Sequence, residues 1–309
     1  MNNLDNALLL RKSSRRQMLK NLGMGAAGLA AVSSFAAVPP PDPLVTSLET
    51  TSPFPIVGVS AHDLAILDFA LNLEYLEANF YSYAVSGVGL SSQSVAITGR
   101  GTQGTVTVPT TTMVPFSDPN VLAYATEIAK DEIEHVKFLR GIVEATGHVP
   151  VAQPAIDLVN SFNAASNAAG LGSTFNPFAN DLNFLLGAFI FEDVGVTAYH
   201  GAIASILNKN TMKYAAGIMG TEGYHASEIR TLLYGMGSAA QSAANAISAA
   251  RASLGGGMDA GITVNGVANI TPVDADGLVF ARTPAEVLNI VYLSPTGAPG
   301  GFFPNGINA

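Results

Sequence analysis

A pattern of acidic residues, tyrosines and histidines occurs twice along the 309-residue chain. In each copy a Glu is followed seven positions later by a Tyr, and a later Glu-x-x-His pair is followed by an Arg five positions after the His. The two copies are Glu74, Tyr81, Glu132, His135 and Arg140, and Glu192, Tyr199, Glu222, His225 and Arg230. A single Glu-x-x-His pair is weak evidence, because about 0.2 are expected by chance in a chain of this composition. Two copies in matching contexts indicate a functional site.

The spacing within each copy suits metal binding. Residues three positions apart in a helix lie on one face, one turn apart, so a Glu and a His can bind the same ion. Seven positions span almost two turns, which places each Tyr on the same stripe as its Glu, near enough to hydrogen-bond a ligand or to be oxidised. Two such units face to face bring together four carboxylates and two imidazoles, the ligand set of di-iron and di-manganese carboxylate proteins.

We therefore predict a dinuclear metal site at the centre of the fold. Its six predicted ligands are Glu74, Glu132, His135, Glu192, Glu222 and His225. Tyr81 and Tyr199 are the predicted catalytic residues beside it. Mixed carboxylate and imidazole ligands favour two iron or manganese ions, with zinc as an alternative. Such a pair can bind dioxygen or peroxide between the ions, so metal ions and small oxidants are the predicted partners.

Other acidic residues near the pattern are interpreted from their surroundings. Glu192 lies in an otherwise apolar segment, where an unpaired carboxylate is costly, and this argues against a purely structural role. Glu77 is one turn from Glu74 and could join the site, but the favoured interpretation is an exposed carboxylate that pairs with a neighbour. Glu134 is expected to face solvent.

Histidines and arginines outside the predicted ligand set are given less specific roles. Three histidines without companions at ligand spacing are interpreted as ordinary surface or core residues: His62, His148 and His200. Arg140 and Arg230 are expected either to be solvated or to pair with acids such as Asp131 and Glu228.

Helices are the elements that must hold the predicted ligands. Ser60 and Asp63 resemble a capping box at the start of the first helix, and Asp118 with Pro119 opens the second. The four predicted helices span residues 60–86, 118–146, 181–208 and 211–236. The predicted fold is therefore an all-α four-helix bundle.

The register of the last two helices gives an independent check on the site. Ligands at one level of an antiparallel pair lie equally far from the connecting turn. The turn at Asn208 is sixteen residues after Glu192 and sixteen before Tyr224, which lies inside the second Glu-x-x-His pair. The first two helices agree within one turn, so all the predicted ligands lie at one level.

The remaining segments surround this bundle. Residues 87–116 are rich in Gly, Ser, Thr and Val and form a long insertion between the first two helices, in which 95–108 could form short strands or an ordered loop. Residues 149–179 are a connection, and further helices are predicted at 239–254 and 283–292. The predicted linker, bundle and C-terminal extension packed on the bundle span residues 37–59, 60–236 and 237–309.

The first 36 residues have the composition of a targeting segment rather than of a folded domain. Basic residues are followed by an apolar run rich in Gly and Ala, and then by Pro39 to Pro41. The segment from Ser14 to Lys20, with its pair Arg15 and Arg16, resembles the signal of the twin-arginine export machinery, which carries folded proteins, often with a cofactor loaded. We expect a periplasmic or extracellular protein. An ordinary amphipathic first helix is the alternative.

Charge and composition narrow the classes of partner. The chain without residues 1–36 has nine basic and 22 acidic residues, a net charge of −13, which argues against binding to nucleic acid. It has no Cys, so any metal must be held by carboxylates and imidazoles. The most apolar segment, 184–207, contains Glu192, Asp193 and His200, and we therefore predict no membrane span.

Three segments resemble the ferritin-like family that includes plant desiccation-related proteins and many exported bacterial ones. They are residues 72–78 (NLEYLEA), 224–230 (YHASEIR) and 300–306 (GGFFPNG). The resemblance implies a ferritin-like bundle in which Glu74 and Glu192 are terminal ligands, while Glu132 and Glu222 bridge the two metals. His135 and His225 would each complete one metal.

The resemblance is specific for fold but not for activity, since ferritin-like proteins include ferroxidases, peroxidases, catalases and iron stores. Our first hypothesis is a redox enzyme that oxidises ferrous iron or consumes peroxide in stress defence. The alternative is a metal-binding or desiccation-protective protein without turnover. An iron store would need many subunits assembled into a cage. The long insertion at 87–116 and the C-terminal extension argue against such an assembly. Assembly into a homodimer is a further possibility.

Overall fold

The computed structural model describes residues 58–309, so the predicted signal segment and most of the linker lie outside the described residues. Over this range the fold is all-α with little strand, which confirms the predicted fold class. The seven α-helices are α1 (Ala61–Ser86), α2 (Pro119–Ala145), α3 (Asn160–Ala168), α4 (Asp181–Ile203), α5 (Lys209–Gly235), α6 (Ser238–Leu254) and α7 (Pro284–Val291). The bundle is formed by the four longest, α1, α2, α4 and α5.

Contacts at the helix ends fix the directions in the bundle. The Asp63 carboxylate at the start of α1 accepts hydrogen bonds from the backbone N–H groups of Leu207 and Asn208, after the end of α4. The Asp181 carboxylate at the start of α4 accepts one from the backbone N–H of Ser117, just before α2. Thus α4 is antiparallel to α1 and parallel to α2. The connection between α2 and α4 must therefore travel the length of the bundle.

The predicted helix starts are correct, with one difference in capping. The Ser60 hydroxyl accepts a hydrogen bond from the backbone N–H of Asp63, as a cap should. The Asp63 carboxylate does not complete a capping box, because it binds the turn after α4. Helix α4, the third of the four predicted helices, consequently ends at Ile203 rather than at the predicted residue 208, because the chain turns there to meet Asp63.

The long insertion is fastened to the connection between α2 and α4. Strand β1 (Val106–Thr107) pairs in parallel with β2 (Ile156–Asp157). Gly104 permits this close approach, because a Cβ there would lie 2.1 Å from the backbone nitrogen of Ala155. The connection also contains α3, which the sequence analysis left as loop. This helix has only nine residues and is rich in Asn, Ser and Ala, and Phe162 is its one large buried side chain.

The C-terminal extension adds α6, a short hairpin of β3 (Thr263–Val264) and β4 (Val267–Ala268), and α7. A network of three arginines and two aspartates holds it against α4. Asp193 of α4 accepts hydrogen bonds from Arg230 at 2.6 Å and from Arg251 at 2.5 Å. Asp259 of the extension pairs with Arg251 at 2.9 Å and with Arg282 at 2.7 Å. All five side chains are buried, and the sequence analysis did not predict their pairing.

Within the described range, α4 is the one helix whose length and composition would allow it to cross a membrane. Of its most apolar stretch, 89% is buried inside the protein. Its apolar character is thus accounted for by its central position in the bundle, where it contacts α5, α6, α1 and α7. This agrees with the prediction that the segment is not a membrane span.

Candidate metal centre

The six predicted ligands meet in the middle of the bundle. Glu74 comes from α1, Glu132 and His135 from α2, Glu192 from α4, and Glu222 and His225 from α5. The most exposed of the six is His135, at 8%. Their periodicity puts all six on the inner faces of their helices, as the spacing predicts.

The six residues form two overlapping groups that could each hold one ion. Glu74 and His135 belong to one group, and Glu192 and His225 belong to the other, while Glu132 and Glu222 belong to both. Within each group the candidate ligand atoms lie within 4.8 Å of one another. We refer to the first group as the His135 position and to the second as the His225 position.

Distances between the imidazoles and the carboxylates show the sharing directly. Nδ1 of His135 is 3.2 Å from Oε2 of Glu74 and 3.6 Å from Oε2 of Glu132. Nδ1 of His225 is 3.1 Å from Oε1 of Glu132 and 3.5 Å from Oε2 of Glu192. Glu132 therefore presents one oxygen to each imidazole, which is the geometry of a bridging carboxylate.

The hydrogen-bonding state of these atoms fits a bound metal. In the described part of the chain, twelve buried side-chain polar atoms lack a hydrogen-bond partner, and nine of them belong to the six predicted ligands. Orphaned buried polar atoms are rare in native proteins, because each costs about 1–3 kcal/mol or more. Carboxylate oxygens and imidazole nitrogens converging in this way are suited to hold iron, manganese or zinc.

Protons are shared unevenly in the metal-free cluster. Burial raises the pKa of Glu74 to about 7, and it raises the pKa of Glu222 well above its usual range, with the Glu132 carboxylate acting in the same direction. Burial alone would lower the pKa of His135 and of His225, but nearby carboxylates raise both to about 12. Burial acts to raise the pKa of Glu132, yet the two imidazolium charges hold it well below its usual range.

Tyr81 and Tyr199 make hydrogen bonds that cross between the two halves of the site. The Tyr81 hydroxyl donates to Glu192, and the Tyr199 hydroxyl donates to Glu74. Each Tyr thus reaches a predicted ligand, but one that belongs to the other copy of the pattern. The crossing arises because α1 and α4 are antiparallel, so seven residues along α1 from Glu74 lead to the level of Glu192.

Arg140 and Arg230 are buried, at 7% and 0% exposure, so they are not solvated. Each pairs with an acid, as the other alternative predicts, but the acids are Glu144 and Asp193 rather than Asp131 or Glu228. Arg140 donates to the Tyr75 hydroxyl at 2.6 Å, and Arg230 donates to Asp193 at 2.6 Å. Tyr75 and Asp193 directly follow the first Glu of their copies. The internal repeat therefore extends to the residues that the two arginines contact. In the first copy this residue is a phenol, Tyr75, and in the second it is a carboxylate, Asp193.

Two neighbours of the ligands were not assigned from the sequence. Oδ2 of Asp131 lies 3.5 Å from Nε2 of His225, the ring nitrogen that faces away from the cluster. A Cβ on Gly195 would lie 2.0 Å from Oε2 of Glu222, so only glycine leaves room for that carboxylate. A Gly three residues after a ligand in an apolar helix is the signal that could have identified this position.

Glu77 is 6% exposed, and its interpretation as an exposed carboxylate is wrong. It lies one turn from Glu74 and shares that residue's buried face. Glu134 faces solvent as expected, with a side chain that is 58% exposed and paired with Lys137.

The remaining histidines lie outside the cluster, as interpreted. His62 and His200 each contact a backbone carbonyl oxygen at 3.1 Å. His148 contacts the hydroxyl of Thr146 at 2.9 Å. These are ordinary structural contacts of surface and partly buried histidines.

A four-helix bundle with two facing ligand groups and shared carboxylates defines a ferritin-like protein. A family model described as Ferritin-like domain matches residues 62–235, and the chain belongs to this family. It is 28% identical to the ferritin-like catalase Nec2 of Nesocodon mauritianus, over 81% of this chain and 85% of that protein. It is 29% identical to the desiccation-related protein PCC13-62 of Craterostigma plantagineum, over 73% of this chain and 76% of that protein. No solved structure gives a significant match.

Proposed function

We propose that this protein is a dinuclear iron or manganese enzyme that decomposes hydrogen peroxide. The observation that carries the proposal is the set of orphaned carboxylate and imidazole atoms on six residues, in two groups that share Glu132 and Glu222. The choice of peroxide is supported by the relative named as a ferritin-like catalase. Two ions bound there would take two electrons from one peroxide, releasing dioxygen and two protons, and return them with two protons to a second peroxide, giving two waters.

The residues of the chain have distinct parts in this function. Glu132 and Glu222 would contact both ions, while Glu74 with His135 and Glu192 with His225 would each complete one position. Asp131 faces the outer nitrogen of His225 and orients that ring, as carboxylates commonly do for metal-bound histidines.

Tyr81 and Tyr199 act as positioning residues in this proposal. Burial raises the pKa of both phenols well above the ordinary value, and the neighbouring carboxylates of Glu192 and Glu74 act in the same direction. Both hydroxyls therefore keep their protons and donate them in hydrogen bonds to the two terminal carboxylates. These bonds fix one oxygen of each carboxylate and leave the other, which has no hydrogen-bond partner, free for a metal ion.

We infer that the substrate reaches the centre from the face between α2 and α5. The His135 side chain is 11% exposed, whereas the side chains of the other five predicted ligands are at most 4% exposed. On the same face the side chain of Asp131 is 32% exposed. So little exposure of the ligands favours a small oxidant over a large substrate.

Replacing the shared carboxylates tests the proposed centre. We expect the purified protein to bind two ions per chain and to evolve dioxygen from hydrogen peroxide. Glu132→Ala or Glu222→Ala should each lose more than one ion and about a hundredfold or more of the activity, because both positions depend on each carboxylate. Metal analysis and oxygen-electrode assays measure this, with His62→Ala as the unchanged control. Full metal content in the double variant would exclude the site.

A second candidate function is protection during drying without turnover, which the name of the desiccation-related relative favours. The two functions share the metal centre and differ in activity. A protein that binds two ions but consumes neither peroxide nor ferrous iron would support this second function.

We also propose that the protein is exported by the twin-arginine route, on the basis of residues 14–20, which lie outside the described residues. Replacing Arg15 and Arg16 together by Lys should leave the precursor in the cytoplasm, because that machinery reads the paired guanidinium groups. Cell fractionation measures the result, with Arg11→Lys as the matched control. Normal export of the double variant would rule out this route.

A further inference from the structure

Each half of the candidate metal centre contains a buried arginine that joins the two helices of its hairpin. Arg140 of α2 donates to the hydroxyl of Tyr75 in α1 at 2.6 Å. Arg230 of α5 donates to the carboxylate of Asp193 in α4 at 2.6 Å. Both hydrogen bonds are buried, and they differ from the two tyrosine bonds of the site, which run between the hairpins. The arginines thus connect helices within a hairpin, and the tyrosines connect one hairpin to the other.

The bond between Arg140 and Tyr75 joins the two helices that supply the unshared ligands of the His135 position. Tyr75 directly follows Glu74, and Arg140 lies five residues after His135, about one and a half turns along α2. The Tyr75 hydroxyl also donates to the backbone carbonyl of Val151, in the connection between α2 and α4, at 3.2 Å. Val151 forms a β-bridge with the long insertion. The insertion and the connection therefore reach the His135 position through one phenol.

The bond between Arg230 and Asp193 has the same place in the second half. It joins the two helices that supply the unshared ligands of the His225 position, since Asp193 directly follows Glu192 and Arg230 lies five residues after His225. The guanidinium of Arg230 also donates, at 2.7–2.9 Å, to three backbone carbonyls of the C-terminal extension, those of Ala260, Gly261 and Asn269. The extension therefore reaches the His225 position through one guanidinium.

Both bonds are close enough to the ligands to control their geometry. The planar fork of a buried arginine holds its partner in one orientation, so each bond fixes the separation of two helices beside a terminal Glu and a His. Contacts behind the ligands of a metal commonly change its affinity by 10–100-fold. The alternative is that the arginines only fasten the outer segments to the bundle. That role would affect stability and leave metal affinity unchanged.

We propose that Arg140 with Tyr75, and Arg230 with Asp193, are two independent positioning pairs, each of which holds one metal position in its binding geometry. The insertion and the connection support the His135 position, and the C-terminal extension supports the His225 position. This inference rests on the proposed dinuclear centre and assigns a role to the segments outside the bundle.

Calorimetric titration of the metal-free full chain with Mn²⁺ tests the independence of the two pairs. We expect the wild type to bind two ions. Tyr75→Phe removes the hydroxyl and keeps the ring, and Arg230→Lys keeps the charge and removes the fork. Each should weaken one ion about tenfold or more, and the double variant should weaken both. A double variant that keeps one ion at wild-type affinity would overturn the independence, whereas fewer than two ions in the wild type would contradict the proposed centre itself.

Variants with one intact histidine assign each pair to its position. His225→Ala retains the unshared ligands of the His135 position, so adding Tyr75→Phe should weaken the remaining ion about tenfold. The same addition to His135→Ala should leave the remaining ion unaffected, and Arg230→Lys should show the reverse pattern. Equal effects in both backgrounds would overturn the assignment, and a background that binds no ion would contradict the existence of two separate positions.

A thermal melt of the same metal-free proteins separates positioning from stability. Tyr292→Phe removes another buried hydroxyl, which accepts a hydrogen bond from the backbone of Ile307, and Arg282→Lys alters another arginine of the buried network. Both are matched controls and should keep the affinity of both ions, whatever their melting temperatures. If Tyr75→Phe and Arg230→Lys melt lower but bind both ions as the wild type does, the pairs serve the fold alone. Weakened binding in the controls would attribute the effect to general destabilisation and would also overturn the proposal.

Discussion

Replacing Asp193 by Ala should lower the free energy of unfolding of the metal-free protein by about 3–5 kcal/mol. Asp193 accepts hydrogen bonds from Arg230 and Arg251, whose side chains are 0% and 3% exposed. Its loss would leave three buried guanidinium groups with the single carboxylate of Asp259. Removing one partner of a buried pair is costly because the remaining charge can neither reach water nor find another partner. Denaturant unfolding followed by circular dichroism measures the change.

A surface pair provides the control for this prediction. Glu134→Ala removes the exposed partner of Lys137, and exposed pairs contribute about 0–1 kcal/mol. If Asp193→Ala costs no more than Glu134→Ala, the arginine network does not hold the C-terminal extension on the bundle.

Removal of the metal should lower the melting temperature of the wild type, and by more at pH 8 than at pH 5. Metal bound only to the folded state stabilises it by about 4 kcal/mol at a thousand times its Kd. In the metal-free protein the pKa of Glu74 is raised by burial to about 7, from an ordinary value of 4.5. A raised pKa gives stability that is complete below 4.5 and lost as the pH rises through 7. Glu222, whose pKa is also raised by burial, acts in the same direction.

The two histidines do not reverse this trend. Burial alone would lower their pKa values, but the carboxylates raise them from 6.5 to about 12. The stability that they give the metal-free fold is complete below pH 6.5 and declines as the pH rises towards 12, so it acts in the same direction as that of Glu74. Metal ions displace the carboxyl protons, and the loaded protein therefore escapes the loss between pH 5 and pH 8.

A double variant separates metal ligands from structural carboxylates. Glu192→Gln with Glu222→Gln should bind metal weakly, yet its metal-free form should be as stable as the wild type or more stable, since two repelling charges are gone. The measurement is a thermal melt with chelator and with added Mn²⁺ or Fe²⁺ at both pH values. A wild type unmoved by chelation, together with a double variant that melts far below it, would mean that these carboxylates serve the fold.

The positions of the metal site could be predicted from the sequence because helix geometry is local. Three-residue and seven-residue spacings determine which side chains share a face, whatever the helix packs against. The contacts of Tyr81 and Tyr199 could not be predicted in the same way, since they depend on the antiparallel direction of α1 and α4. That direction is set by a connection of about thirty residues whose sequence has no strong pattern.

Burial of individual polar residues was the other limit. Glu77 and Glu134 are both acids close to a predicted ligand, and spacing alone did not separate the buried one from the exposed one. The width of the buried face depends on how closely neighbouring helices approach, which is a property of the packed bundle. The partners of Arg140 and Arg230 were missed for the same reason, because both arginines point into the protein rather than along its surface.

The crossed hydrogen bonds of the two tyrosines bear on how such a chain could have arisen. The Tyr of the α1–α2 hairpin binds the terminal carboxylate of the α4–α5 hairpin, and the Tyr of α4–α5 binds that of α1–α2. Neither hairpin therefore holds its own terminal carboxylate. Two identical copies of a short ancestral hairpin, related by a twofold axis, would satisfy this requirement without further change. Gene duplication and fusion would then have preserved the reciprocity while releasing each copy to diverge. The difference between Glu77 in one half and Gly195 in the other is the kind of divergence that only a fused chain can acquire on one side.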